Sequence, residues 1–207
     1  MELVSQDKNL AKQFYLTGGT ALSEFYLHHR LSVDLDFFSE SEFEILPIEI
    51  FFQSHSNELD IKQTERVQFL GLQTFQFTFS DDTTLKIDFN YYPFPRIEKG
   101  TTFNQLAIDS PRDIAANKVH TIYMKARERD FVDLYFLMKQ YNFNLKQLIL
   151  DAKLKFDWHI DQFKLAETLL KSQDYSTLPK MLVPFDPKEM NTFFQEIVRS
   201  LEKNILE

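Results

Sequence analysis

The sequence predicts an α+β chain in which strands occupy the first half and helices the second. Two observations carry this. Between Phe14 and Asn90, short apolar stretches alternate with polar residues at a period of two, the mark of half-buried strands. Beyond Ser110 the apolar residues recur at helical spacing between recognisable caps. At 207 residues and 43% hydrophobic, the chain is long enough for two lobes. The change of pattern puts a strand-bearing domain at 1–108 and a helical domain at 109–207.

Phe14, Tyr15 and Leu16 form a short apolar run that ends at Gly18-Gly19, which predicts a buried strand closed by a tight turn. A helix over Thr20–His29 follows, with Leu22, Phe25, Tyr26 and His29 on one side and Ser23, Glu24 and His28 more exposed. Ser32–Phe37 alternates as a strand, with Val33, Leu35 and Phe37 expected in the core and Asp34 and Asp36 sharing the other face. Glu42–Ser54 is expected to be helical, its start delayed by Pro47. Ile61–Gly71, Thr74–Ser80 and Thr84–Asn90 read as strands, the last two joined by the polar turn Asp81-Asp82-Thr83. In the third of these, Lys86 and Asp88 point away from the core. Prolines 93 and 95 end the strand pattern. Ser110-Pro111-Arg112-Asp113 then reads as cap, first helical position and capping box. Helices are expected over Pro111–Lys125, Glu128–Tyr141, Leu145–Lys155, Ile160–Ser172 and Pro187–Leu206.

Composition removes several classes of function. With no cysteine, disulfides and Cys-based zinc or iron–sulfur sites are excluded, and a cytoplasmic location is expected. The start, MELVSQDKNL, lacks a basic stretch followed by an apolar core, and no run of about 18 apolar residues occurs, so neither secretion nor membrane spanning is expected. A formal charge of −8 argues against nucleic-acid binding by the surface as a whole and leaves room for a local basic patch. The 22 phenylalanines read as core filler.

Only four glycines occur in the chain, yet two stand side by side before a helix. Glycines at such a junction let backbone N–H groups approach a phosphate; the plainer reading is a tight turn with Thr20 as a helix cap. Asp34-x-Asp36, taken alone, is an ordinary wetted strand face, but Asp88 offers a third carboxylate from another strand. Three carboxylates within about 4 Å of one another repel by about 4 kcal/mol per pair at an effective dielectric near 20, so a shared site would hold a proton or recruit a cation. Mg²⁺ suits carboxylate and phosphate oxygens. Sugar-nucleotide glycosyltransferases fit poorly, because fewer than forty residues precede the motif. Haloacid-dehalogenase-like phosphatases want Thr or Val where Phe38 stands. The helical half has its own dense cluster, Lys118, Arg127, Arg129, Asp130 and Asp133, in which Arg129 can pair with Asp133 one turn on. From Arg112 to Arg129 there are five lysines and arginines against two acids, a patch able to accept triphosphate or nucleic acid.

Taken together, Gly18-Gly19-Thr20-x-Leu22, Arg30-x-Ser32-x-Asp34-x-Asp36-Phe37, Asp88, and Lys118 with Arg129-Asp130-x-x-Asp133-Leu134 resemble the AbiEii/AbiGii toxin family. These are nucleotidyltransferase-like proteins of the DNA polymerase beta superfamily. The resemblance runs in order from Phe14 to Leu137 and leaves 141–207 without a matching motif. It implies a nucleotidyltransferase-like mixed sheet with flanking helices, an all-helical C-terminal lobe, and a nucleotide in the cleft between. The implied activity is Mg²⁺-dependent transfer from an NTP to a hydroxyl acceptor, with pyrophosphate leaving and the tRNA acceptor end as one candidate. The implied setting is the toxin of a toxin–antitoxin or phage-abortive system, with a cognate antitoxin as partner. Carried over by residue, Gly18, Gly19 and Thr20 would hold the triphosphate, and Asp34, Asp36 and Asp88 would be the metal-binding catalytic acids. Lys118 would contact phosphate and Asp130 would be a further catalytic or organising acid, supported by Arg129 and Asp133. Thr20 stands where the superfamily usually has serine, and it keeps the hydroxyl. The alternatives are a non-catalytic module of the same fold that binds a protein or nucleic acid, and a transferase acting on a protein or small molecule.

Overall fold

In the computed structural model, which describes residues 1–175 and 177–205, one mixed sheet carries the first half of the chain. Its strands are β1 (Tyr15–Thr17), β2 (Leu35–Ser39), β3 (Ile61–Phe69), β4 (Leu72–Phe79), β5 (Thr84–Tyr91), β6 (Thr102–Phe103) and β7 (Leu106–Ile108). They lie in the order β3-β4-β5-β2-β1-β7-β6. β2 runs parallel to β5 and β1 parallel to β7, while the other pairs are antiparallel. The helices are α1 (Glu2–Gln6), α2 (Lys8–Gln13), α3 (Gly18–Leu22), α4 (Leu46–Ser54), α5 (Pro111–Lys125), α6 (Glu128–Tyr141), α7 (Leu145–Phe156), α8 (Gln162–Leu170) and α9 (Pro187–Ile205). This is the expected fold class.

Contacts divide the chain into two units. The first comprises Met1–Ala21, Ser32–Pro95 and Lys99–Asp109; the second comprises Leu22–Leu31, Arg96–Glu98 and the chain from Ser110 onward. In the first unit the period-two pattern does what it predicts. Leu35, Phe37, Phe75, Phe77, Ile87 and Phe89 are buried on one sheet face. Ile48, Phe51 and Phe52 of α4 are buried too, and Phe52 meets Phe75 and Phe77 at ring distances of 5.4 and 4.7 Å. In the second unit α5, α6 and α9 bury Ile114, Val119, Phe131, Leu134 and Phe194. Ser110 caps α5 by accepting from the Asp113 N–H at 3.0 Å, so that helix starts where the sequence places it.

Several expectations need correction. β2 begins at Leu35, not Ser32, so Asp34 precedes the strand, and Val33 is 57% exposed where a core position was expected. The helix after the glycines begins at Gly18 and passes into a π-helical turn over Ser23–Leu27, ending at His28 in the left-handed region. α4 starts at Leu46 with Pro47 in its first turn, four residues later than the pattern alone suggests. β6, β7, α1 and α2 are additions to the expected list. Leu206, the last residue of the final expected helix, lies outside the described residues.

Candidate functional site

Asp36 and Asp88 are direct partners across the parallel β2–β5 pair. One ladder row runs Thr17, Asp36, Asp88, Thr74, Val67 across five strands, so these side chains share a face. It is the face opposite the phenylalanine core. Neighbouring strands lie about 4.8 Å apart, which brings the two carboxylates within reach of a common cation.

Each acid is shaped by what surrounds it. Asp36 is half-buried, and its carboxylate occupies the space that a side chain at residue 18 would need: a Cβ on Gly18 would stand 2.5 Å from Asp36 Oδ2. Gly18 also has φ of +75°, a conformation open to glycine at little cost. Both requirements fall on one residue, which answers why a glycine-poor chain keeps a glycine there. Asp88 is buried; it accepts from the Thr74 hydroxyl at 2.6 Å and is ion-paired with Lys86, its neighbour two residues back on the same face. Asp34 presents a different group to the loop. Its backbone carbonyl accepts from the buried Thr20 hydroxyl, which also lies 3.0 Å from Ser32 Oγ. The glycine loop is thereby stapled to the chain that carries the acids. On the other side of that loop, Thr17 donates to the fully buried Asp109 at 2.7 Å, a residue that sequence reading passed over.

Among the described residues no three His, Cys, Asp or Glu side chains converge as a closed metal cage. The donor set still fits Mg²⁺, which keeps several waters and is held by one or two carboxylates together with substrate phosphates. Asp36 and Asp88 supply two hard oxygen groups on one face, the Asp36 carboxylate lying over Gly18.

The second cluster belongs to the helical unit and is a buried charge network. Lys118, 7% exposed, places Nζ 2.8 Å from Asp130 Oδ1 and 2.6 Å from Asp133 Oδ2. Asp133, fully buried, also accepts from Arg30 Nε at 2.6 Å, Arg30 Nη2 at 2.9 Å and His29 Nε2 at 2.9 Å. Its partners are thus Arg30, His29 and Lys118, in place of the expected Arg129, because both oxygens are already taken. Asp130 accepts from the backbone and side chain of Arg127. Burial by itself would raise both carboxylates. It is the largest single influence on each, yet the partners together outweigh it, Lys118 with Arg30 and His29 for Asp133 and Lys118 with Arg127 for Asp130, so both lie below the usual carboxylate range. The Lys118 ammonium is pushed up by the same pairing, against the opposing pull of burial.

This network alters the expected basic patch. Arg112 is committed to Asp151 through two hydrogen bonds of 2.7 and 2.8 Å, Lys118 to Asp130 and Asp133, and Arg127 to Asp130. Three of the five cations between Arg112 and Arg129 are therefore matched locally. Asp133 is in turn shared with His29 and Arg30, residues far from it in sequence. An isolated antiparallel bridge between Arg30 and Met181 helps to fix them: Leu31 N–H donates to the Lys180 carbonyl and Leu182 N–H to the His29 carbonyl, at 2.8 and 2.9 Å.

Comparison with known proteins follows the same lines. A protein of Aquifex aeolicus (strain VF5), named uncharacterized protein aq_aa25, is 29% identical over 206 residues, covering 96% of this chain and 89% of its own. The crystal structure of a putative nucleotidyltransferase from H. pylori superposes with a TM-score of 0.62 at 25% identity, covering 100% of this chain and 94% of its own. The crystal structure of JHP933 from Helicobacter pylori gives 0.60 at 23% identity, covering 99% and 91%, a likeness of fold. The family described as nucleotidyl transferase AbiEii toxin, Type IV TA system, matches residues 3–204. With that match spanning nearly the whole chain, and with the acids and glycine loop on one sheet face, the protein belongs to the AbiEii nucleotidyltransferase toxin family.

Proposed function

We propose that the protein transfers a nucleotidyl group from an NTP to a hydroxyl acceptor with release of pyrophosphate. The observation that carries this reading is the direct pairing of Asp36 with Asp88 on one sheet face, with Gly18 making room for the Asp36 carboxylate. Gly18 and Gly19 bring backbone close to the triphosphate, and the Thr20 staple holds that loop against the segment carrying Asp34 and Asp36. Asp34, Asp36 and Asp88 would hold Mg²⁺, which when bound supplies charge neutralisation on the triphosphate and a lowered pKa for the acceptor hydroxyl. Asp88, steadied by Thr74 and Lys86, orients that hydroxyl. Lys118 keeps one N–H beyond its two carboxylate partners, the donor it would offer to phosphate, while Asp130 and Asp133 set its position. Arg129, half-exposed beside Asp130, stands as a further phosphate-binding cation.

The acceptor in this reading is RNA, with the tRNA acceptor end as the first candidate. The setting is a cell that also makes a cognate antitoxin and keeps the toxin in its cytoplasm. The test is incubation of the protein with each α-labelled NTP, Mg²⁺, and either total RNA or cell lysate. Label entering RNA with one or two of the four NTPs is expected, and Asp36→Asn and Asp88→Asn should reduce it to background while their thermal unfolding stays that of a folded protein. Transfer by folded Asp36→Asn at the wild-type rate would refute the assignment, and label entering protein alone would move the acceptor to a protein hydroxyl.

A further inference from the structure

On the sheet face opposite Asp36 and Asp88, the first unit holds a cavity of ≈ 450 Å³. The alternation of β5 separates the two sides: Leu85 and Ile87 line the cavity, whereas Lys86 and Asp88 point to the acid face. Its floor is buried and apolar, made by Val4, Phe51, Phe52, Phe77 and Ile87. Half-buried Leu3, Leu59, Ile61, Phe79 and Leu85 surround its mouth.

The cavity opens to solvent through that mouth. It is roughly three times the engineered apolar cavity of about 150 Å³ that stays dry and takes up benzene, and it falls within the range of about 300–1,000 Å³ typical of ligand sites. Both charged side chains around it are acids: Glu2 and Glu58 line it with Gln6, all three exposed, and no Lys, Arg or His side chain is among its lining residues. Met1 also lines it, and burial pushes its α-amine below the ordinary range against the opposing pull of Glu2. An anionic head group would therefore meet two carboxylates, and a cationic one would be matched by them.

We propose that this cavity binds an apolar molecule carrying a cationic amine, its body packed on Phe52, Phe77 and Ile87 and its ammonium at the Glu2 and Glu58 carboxylates. The site is separate from the acid pair and does not depend on the transfer reading. Three probes that differ only in the head group test it: decylammonium, decanoate and decan-1-ol, titrated calorimetrically into the whole chain below micelle-forming concentrations, with thermal unfolding in parallel. Decylammonium should bind once per chain and raise the melting temperature, and decanoate should bind at least about tenfold more weakly. The double variant Glu2→Gln/Glu58→Gln should bring the two within about threefold of each other. Leu85→Trp, which fills the mouth, should abolish binding while keeping or raising the melting temperature; if it fails to fold, Ile61→Trp is read in the same way. Binding of none of the probes, binding of decanoate as tight as that of decylammonium, or undiminished binding by the folded tryptophan variant would overturn the proposal.

Discussion

Gly18 shows how much a single position can be asked to do. Its φ of +75° is a left-handed conformation that costs an L-residue about 1–2 kcal/mol, and an added methyl would press on the Asp36 carboxylate. Gly18→Ala should therefore lower stability by about 1–3 kcal/mol in thermal or urea unfolding. It should also reduce nucleotidyl transfer more than that loss explains, because the displaced group is one of the acids. Gly19→Ala, in the first turn of α3 and without a positive φ, should stay within about 1 kcal/mol of the parent. Equal effects of the two substitutions would remove Gly18 from its special role. At this scale the sequence was partly legible. Alternation in β2 and β5 was enough to put Asp36 and Asp88 on one face, since a period of two fixes the side of every residue. Asp34 was misplaced because the same alternation runs on through Val33 although the backbone there is held by Thr20 instead of a strand partner. The partners of Asp133 were out of reach of local reasoning, because His29 and Arg30 lie more than a hundred residues away.

Among the elements, α5 carries the most heavily supported terminus. Asp113 in its first turn is fully buried and accepts from the Ile97 and Glu98 backbone N–H groups at 2.7 and 3.1 Å, from Ser110 Oγ at 2.8 Å, and from Lys155 of α7 at 2.7 Å. Both side chains of the Asp113–Lys155 pair are 0% exposed. Removing one partner of a buried pair leaves an uncompensated charge, so Lys155→Met should cost about 3–5 kcal/mol in urea unfolding. Ser110→Ala, which removes only a cap, should cost about 1 kcal/mol. A Lys155→Met cost below that of Ser110→Ala would mean that the backbone donors alone satisfy Asp113. The start of α5 could be read from sequence because its signal is local, Ser110-Pro111, and the structure adds a left-handed Asn142 just after the expected finish of α6. β6 and β7, of two and three residues, are too short to show any period and exist because β1 offers β7 an edge. The π-helical turn is likewise invisible to a 3.6-residue pattern, which is why a plain helix was expected over Thr20–His29.

For the molecule as a whole, the buried carboxylates held below their ordinary range belong to the helical unit, while Asp81 of the first unit, lowered by its hydrogen bonds from Thr83, is an exposed turn residue. Asp130, Asp133 and Asp151 are all held below their ordinary range, burial opposing and Lys118, Arg30 or Arg112 prevailing, and all three lie in the helical unit. A carboxylate depressed on folding stays ionised where the unfolded chain takes up a proton. Below about pH 4 the unfolded state therefore binds more protons, and stability falls as pH falls. Lys118 is raised, so the reverse holds at the other end: its contribution is complete below about pH 10 and is lost as pH rises through the folded value. Stability contributed by this network should be flat from about pH 5 to about pH 10 and should decline steeply on acidification, with helical circular dichroism reporting the loss. Because the charges are buried, raising salt from 0.1 to 1 M, which shortens the screening length about threefold, should change that acid limb little. Asp133→Asn should shift the plateau downward by about 3–5 kcal/mol and make the acid slope shallower, since one of the groups that distinguishes the folded from the unfolded state no longer titrates. An acid slope unchanged in a folded Asp133→Asn protein would mean that other carboxylates govern the response, and it would remove the network of Lys118, Asp130 and Asp133 as the source of the helical unit's stability at neutral pH.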